Sequence, residues 1–336
     1  MPEKVLIIAE AGVNHNGRLE TAMQLVEAAA QCGADAVKFQ LFHASELVCS
    51  GAELAPYQKD KMPGNETQLT MLRRLELSYD DILQIAEQCR KWGIMFLSSA
   101  FDVAALDVLD LIGVRYLKVP SGEVVNLPLL REVGRRRRPV ILSTGMATLG
   151  EVEKAVDILR QAGTEEIILL HCTTSYPTPP EEANLRAMLT LKKAFGCQVG
   201  YSDHTAGTGI CLAAVAMGAG VIEKHLTLDR TMEGPDHKAS LEPGVFRNMV
   251  EDIRDIEQAL GDGIKRPTAS ELQTMTAVRR SLVASRDIKA GELLSVDNLV
   301  AKRPLTGISV ALWDVVIGRT ARCDIRSGTV ITWDMV

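Results

Sequence analysis

Eight short apolar runs, each followed by a helix-like segment, recur through the first 260 or so residues, and this alternation constrains the fold more than any other feature. The runs are 5–10 (VLIIAE), 35–40 (DAVKFQ), 94–99 (IMFLSS), 116–121 (YLKVPS), 139–144 (PVILST), 167–173 (IILLHCT), 198–203 (QVGYSD) and 221–226 (VIEKHL). They are short and rich in β-branched residues, as parallel strands buried on both faces should be. Amphipathic helical stretches lie between them, among them Leu19–Gln31, Tyr79–Trp92, 149–161 and 207–217. Gly33, Gly93, Gly113 and Gly163 fall just past helix ends, where a left-handed residue is favoured. Asp80, Thr148 or nearby polar residues are candidate N-caps. The pattern predicts an α/β fold, a (β/α)8 TIM barrel over residues 1–260. The rival, an open doubly wound sheet, is disfavoured because no G-x-G-x-x-G follows the first strand.

The alternation stops at 261–277 (GDGIKRPTASELQTMTA), a polar, turn-rich stretch that reads as a linker. A weak internal repeat follows. Asp287 to Leu299 and Asp324 to Val336 both read D-I-[KR]-x-G-x-[LV]-[LI]-[ST]-x-D-x-[LV]. A turn and a short strand used twice predict a small, pseudo-symmetric, mostly-β domain over 278–336. At that size it folds alone only marginally.

Composition narrows the functional class. A formal charge of −6 argues against a nucleic-acid partner, though a few lysines focused in one cleft can still hold a small anion. No apolar run reaches the length of a membrane-spanning helix, and the N-terminus has no small-residue cleavage site. The seven cysteines are scattered and form no C-x-x-C pair, as expected for reduced thiols. A cytoplasmic location is expected.

In such a barrel the chemistry sits at the C-terminal strand ends, and polar residues cluster there. In strand order the ends carry Glu10; Lys38 and Gln40; Ser98 and Ser99; Lys118, Ser121 and Glu123; Ser143 and Thr144; Thr173, Thr174 and Tyr176; Ser202, Asp203 and His204; and Glu223, Lys224 and His225. Residues two apart share a strand face, so Lys38 points with Gln40, Ser202 with His204, and Glu223 with His225. If these faces look inward, two lysines, two histidines and several hydroxyls converge on the mouth. A polar plug satisfied by internal hydrogen bonds explains any one of them. It does not explain the set, because burying unpaired lysines is costly without an anionic partner. Two ammonium groups ringed by hydroxyls suit phosphate and carboxylate oxygens. Two imidazoles suit a metal with open positions, Mn2+ or Mg2+ rather than a closed structural Zn2+.

The motifs IIAEAGVNHNG (7–17), ADAVKFQ (34–40), LKVPSGE (117–123), ILSTGM (141–146), LLHCTTSYPTP (169–179), VGYSDHT (199–205) and VIEKHLTLDRTMEGPDHKASLEP (221–243) resemble the sialic acid synthase family. The segment ASRDIKAGELLSVDNLVAKRP (284–304) is similar to the antifreeze-like (SAF) domain that ends those synthases. The resemblance implies condensation of phosphoenolpyruvate with the open-chain aldehyde of N-acetylmannosamine, giving N-acetylneuraminate and phosphate. A variant using 2,4-diacetamido-2,4,6-trideoxymannose to give legionaminic acid fits equally. It implies that Lys38, Ser99, Lys118, Ser121, Ser143 and Ser202 hold phosphoenolpyruvate, and that His204 and His225 bind a divalent metal. Glu10, Gln40, Glu123, Tyr176 and Asp236 would contact the sugar or the metal-bound water, with Glu10 or Glu123 handling protons. Thr174 stands where some relatives carry Asn and is kept as a substrate contact. Arg303 would reach the sugar's N-acetyl group from a second subunit, in a domain-swapped homodimer.

Other residues take plainer roles. His171 is expected to be a satisfied core histidine, His43 an ordinary loop residue, and the run Arg135–Arg138 a solvated helix end. The loop 44–68 is a candidate lid. Two rivals stand beside the synthase. A Schiff-base aldolase on Lys38 or Lys118 would need no metal, and the paired histidines argue against it. A non-catalytic carbohydrate- or ice-binding protein would not need the polar strand ends.

Overall fold

The structure, a computed structural model, describes residues 4–54 and 67–336. It contains two compact units, Met1–Gly261 and Asp262–Val336. In the first, eight parallel strands close into a barrel in sequential order. They are β1 (Leu6–Gly12), β2 (Ala36–Leu41), β3 (Met95–Ala100), β4 (Leu117–Val119), β5 (Val140–Ser143), β6 (Ile167–His171), β7 (Gln198–Asp203) and β8 (Val221–His225). Closure is made by β1 on β8, in register from Leu6↔Val221 to Glu10↔His225. The strand expected over 116–121 is shorter. Pro120 has no N–H to give a ladder, and Ser121–Glu123 turn into a 3-10 helix instead.

Alternation divides each strand's side chains between two cores. The outward residues, such as Ile7, Ala9, Val37 and Phe39, pack against Leu25 and Val26 of the helix Leu19–Gln31 and against Ile82 and Ile85 of the helix Tyr79–Trp92. The inward ones start as an apolar floor of Ile8, Ala36, Leu97, Tyr116, Ile141, Ile168, Leu170 and Val221. Each fully buried aliphatic or aromatic side chain contributes about 1.5–3 kcal/mol, so floor and outer layer together fix the strand register. That register carries the polar residues above the floor.

Helix ends follow local chemistry, with one correction. Thr148 caps the helix Leu149–Ala162 in a capping box with Glu151. Asp80 does not cap the helix Tyr79–Trp92. Ser78 does, accepting from the Asp81 N–H, and Asp80 sits in the first turn. Ala44 to Leu47, the start of the candidate lid, form a short helix tethered by Glu76, which bonds His43 at 2.6 Å and the Ala44 N–H at 3.0 Å. The centre of that candidate lid, 55–66, lies outside the described residues. The arginine run is not merely solvated: Arg136 pairs with Asp107 and Asp110, and Arg138 with Asp110.

The second unit begins within the stretch read as a linker. Residues Ala269–Val278 form a helix rather than coil, because Thr268 and Glu271 make a full capping box. Beyond it, β9 (Ser281–Ala284) pairs antiparallel with β10 (Leu299–Lys302). The repeat is a structural one. Ile288 and Ile325, equivalent positions in the two copies, exchange both backbone hydrogen bonds at 2.8 Å. Asp324 accepts from the Ala290 N–H at 2.9 Å, and its equivalent Asp287 accepts from the Ser327 N–H at 2.7 Å. Gly291 and Gly328 turn the chain with matching left-handed φ of 85° and 83°. The pairs Leu294/Ile331 and Leu299/Val336 then bury together in one small core.

Candidate active site at the barrel mouth

Two residues above the apolar floor, the inward faces become polar. Glu10, Lys38, Ser99, Lys118, Ser143, Ser202 and Glu223 occupy this tier, all buried and all lining one cavity. Register sets them side by side: Glu10↔Lys38, Gln40↔Ser99, Ser99↔Lys118 and Ser202↔Glu223. Lys38 Nζ lies 3.0 Å from Glu10 Oε2 and 3.4 Å from Glu223 Oε1. Lys118 Nζ donates to Ser143 Oγ at 2.7 Å and sits 3.9 Å from Glu223 Oε2. Ser202 donates to Glu223 at 3.1 Å, and Gln40 to Glu10 at 3.2 Å.

Burial and neighbours set the charges in this tier. Burial raises the Glu10 carboxyl to about 7, helped by the like charge of Glu223 and opposed by Lys38. Burial lowers Lys118 to about 8; Lys38 adds to the shift and Glu223 opposes it. Burial alone would also lower Lys38, but the Glu10 and Glu223 carboxylates beside it win and hold it above the ordinary lysine range. Glu223 is pulled below the ordinary carboxylate range, because Lys118 and Lys38 outweigh its own burial. Near neutrality the tier therefore holds two ammonium groups, one firm carboxylate and one carboxyl that readily takes a proton. The two ammonium groups outnumber the one firm carboxylate, so the tier suits an anionic ligand.

A third lysine shows what the other strand face does. Lys224, between Glu223 and His225, points outward and is fully buried. It pairs with Asp203 at 2.6 Å and donates to the Thr205 carbonyl at 2.6 Å. Asp203 also accepts the Cys211 thiol at 3.1 Å. This pair braces β7 against β8 and takes no part in lining the central cavity.

Above the polar tier, His204 and His225 come together with ring centroids 5.5 Å apart, and the Tyr176 ring lies 4.2 Å from that of His204. His204 Nδ1 is 2.7 Å from the Thr173 carbonyl. A carbonyl only accepts, so Nδ1 carries the proton and Nε2 the lone pair. Burial lowers the His204 pKa and keeps the ring neutral, the ligating form. This donor chemistry fits a divalent metal. Among the described residues, no group of three or more His, Cys, Asp or Glu side chains is arranged to hold an ion. The histidine pair would therefore need oxygens from substrate or water to complete a shell.

The structure brings twelve of the predicted site residues to this one cavity: Glu10, Lys38, Gln40, Ser99, Lys118, Ser121, Ser143, Thr174, Tyr176, Ser202, His204 and His225. Three predicted residues do not line it. Glu123 sits in the turn after β4 and accepts from Asn126 at 2.6 Å. Asp236 is buried in the loop after β8, where its carbonyl accepts from Ser240 at 2.7 Å. Arg303 is exposed in the second unit. One central residue was left out of the predicted set: Glu223 sits between both lysines and Ser202. Its parity with His225 was the available signal. His237, on the loop after β8, is fully buried and bonds Thr227 Oγ1 at 2.7 Å. His171 is satisfied by the Ala183 carbonyl at 2.9 Å, but it is half-buried rather than part of the core.

Residues 25–265 match the NeuB family, and residues 279–336 match the SAF domain. The chain belongs to the NeuB family. Among its relatives, the N,N'-diacetyllegionaminic acid synthase of Campylobacter jejuni is 50% identical over 321 residues, covering 95% of this chain and 96% of that one. The N,N'-diacetyllegionaminic acid synthase of Legionella pneumophila is 44% identical over 334 residues, covering 98% and 94%. The crystal structure of an N-acetylneuraminic acid (sialic acid) synthetase from Leptospira borgpetersenii, in complex with citrate, is 38% identical. It superposes with a TM-score of 0.72 and covers 80% of this chain and 90% of that one. This NeuB-family chain is thus an enzyme of the sialic acid synthase type, with its polar strand ends gathered in one mouth. No described helix is long and apolar enough to cross a membrane.

Proposed function

We propose that this chain condenses phosphoenolpyruvate with 2,4-diacetamido-2,4,6-trideoxymannose, giving N,N'-diacetyllegionaminate and phosphate. The preference over N-acetylmannosamine is carried by one observation. The two relatives at 50% and 44% identity are both named as legionaminic acid synthases, whereas the sialic acid synthetase stands at 38%.

The polar tier supports the phosphoenolpyruvate half of the reaction. Lys38 and Lys118, with the hydroxyls of Ser99, Ser121, Ser143 and Ser202, bind its phosphate and carboxylate oxygens as charge-assisted hydrogen bonds. Glu223 keeps both ammonium groups charged and in place. Bound above the apolar floor, the enol carbon faces upward toward the sugar aldehyde, which Gln40, Thr174, Tyr176 and Asp236 hold. Fixing both reactants in one mouth supplies the proximity contribution. Carbon–carbon bond formation is followed by water addition at C2 and departure of phosphate with C–O cleavage. Glu10 takes and returns the proton of that water, a role that its carboxyl near 7 supports. Glu123, directed to Asn126, is the weaker candidate base. His204 and His225 would hold Mn2+ or Mg2+, which when bound supplies Lewis acidity toward the aldehyde oxygen. Arg303 is assigned to the N-acetyl group in a partner subunit's site, in a domain-swapped homodimer; the similarity of the AKRP segment to the family supports this.

The test is a comparison of kcat/KM for the two sugars at saturating phosphoenolpyruvate with Mn2+. A higher value for the diacetamido-trideoxy sugar is expected. A higher value for N-acetylmannosamine would make this a sialic acid synthase and overturn the sugar assignment.

A further inference from the structure

Ser121 opens the turn after β4, and a serine hydroxyl rotates freely unless its lone pairs are engaged. Here both are within reach of a donor. The Gly145 N–H donates to Ser121 Oγ at 2.9 Å, and Cys172 Sγ lies 3.2 Å from the same oxygen. The Gly145 contact exists only because residue 145 has no side chain. A Cβ there would stand 2.4 Å from Thr174 Oγ1, 2.9 Å from Ser121 Oγ and 3.1 Å from Cys172 Sγ. Met146, the next residue, holds a left-handed φ of 64°, so the backbone turns away at once after presenting the Gly145 amide. Ser121, Cys172, Thr174 and Met146 all face the central cavity. Burial pushes the Cys172 thiol up, more than Ser121 and Lys118 bring it down, so the sulfur keeps its proton.

We propose that Cys172 is a positioning residue: its S–H and the Gly145 N–H together occupy both lone pairs of Ser121. The Ser121 O–H is then turned into the cavity as a donor to an oxygen of phosphoenolpyruvate. The reverse arrangement, Ser121 donating to sulfur, gives the hydroxyl a weak acceptor that an anionic oxygen readily displaces. Cys172 thus acts through Ser121 and takes no part in bond making. The inference rests on phosphoenolpyruvate being the ligand of this cavity.

A double-mutant cycle tests it. Phosphoenolpyruvate is titrated calorimetrically into the full chain with Mn2+, for the wild type, Cys172→Ala, Cys172→Ser, Ser121→Ala and Ser121→Ala with Cys172→Ala. Cys172→Ala is expected to weaken binding about three- to tenfold, the worth of one neutral hydrogen bond. Cys172→Ser, which keeps a donor, should recover most of that loss. In the Ser121→Ala background, Cys172→Ala should cost nothing further, because its only route of action is gone. Additive losses, or a folded Cys172→Ala variant that binds as the wild type does, overturn the positioning role and leave the proposed reaction standing. A wild-type chain that fails to bind phosphoenolpyruvate overturns both.

Discussion

Replacing Lys118 by Met separates a binding lysine from a structural one. Lys118 is nearly fully buried, yet it has no close carboxylate: Glu223 is 3.9 Å away, and the near contact is the neutral Ser143 hydroxyl at 2.7 Å. Its depressed pKa, about 8, says that burial outweighs the attraction it receives. Methionine removes that cost and fills similar volume. Glu223 is not orphaned, since Lys38 at 3.4 Å and Ser202 at 3.1 Å remain. Stability should therefore hold well short of the roughly 3–5 kcal/mol lost when a buried pair is broken. Binding should not hold. A hydrogen bond to a charged group contributes about 1.5–3 kcal/mol, so kcat/KM for phosphoenolpyruvate should fall roughly 10- to 150-fold. Phosphate release at varied phosphoenolpyruvate, with a thermal melt of the same sample, reads both quantities. A folded Lys118→Met enzyme with unchanged kcat/KM for phosphoenolpyruvate would refute the reasoning.

Lys224→Met should do the opposite. It strands the buried Asp203, and a loss of roughly 3–5 kcal/mol in a denaturant titration is expected; a variant as stable as wild type would contradict this. The pH profile of kcat/KM for phosphoenolpyruvate should be bell-shaped. It rises through about 7 as Glu10 ionises and falls through about 8 as Lys118 loses its charge. A profile flat between pH 6 and 9, measured about each unit, would break the link between these groups and turnover. His225→Ala should lose calorimetrically detected Mn2+ binding, and a chelator should abolish wild-type phosphate release until Mn2+ is restored; undiminished Mn2+ binding by the variant would remove His225 from the ligand set.

Much of this architecture was legible from alternation and parity alone. The barrel followed from eight apolar runs, and the convergence of Lys38, Gln40, Ser99, Lys118, Ser202, His204 and His225 followed from inward faces sharing a two-residue period. Parity also separates Lys224 from Lys38 and Lys118, although all three are lysines at strand ends. What parity does not give is distance across the barrel. Glu223 stood beside His225 in the sequence, but its place between two lysines comes from β2 and β4, far away along the chain. The same applies to Gly145, Ser121 and Cys172, which three different strands deliver to one point. The helix Ala269–Val278 was hidden for a different reason. It buries no side chain, so it has no apolar stripe to read, and only the Thr268–Glu271 box marks it. Glu123 lies in the 3-10 turn after Pro120, and its contact with Asn126 comes from the geometry of that turn, which the motif does not reveal.

The most direct test follows the bridging oxygen of phosphoenolpyruvate. The substrate, labelled with heavy oxygen at that position, is incubated with 2,4-diacetamido-2,4,6-trideoxymannose, Mn2+ and the enzyme. Mass spectrometry should find a nine-carbon 2-keto acid and phosphate that carries the label, as C–O cleavage requires. Unlabelled phosphate would contradict the mechanism, and no phosphate release with this sugar or with N-acetylmannosamine would contradict the central claim.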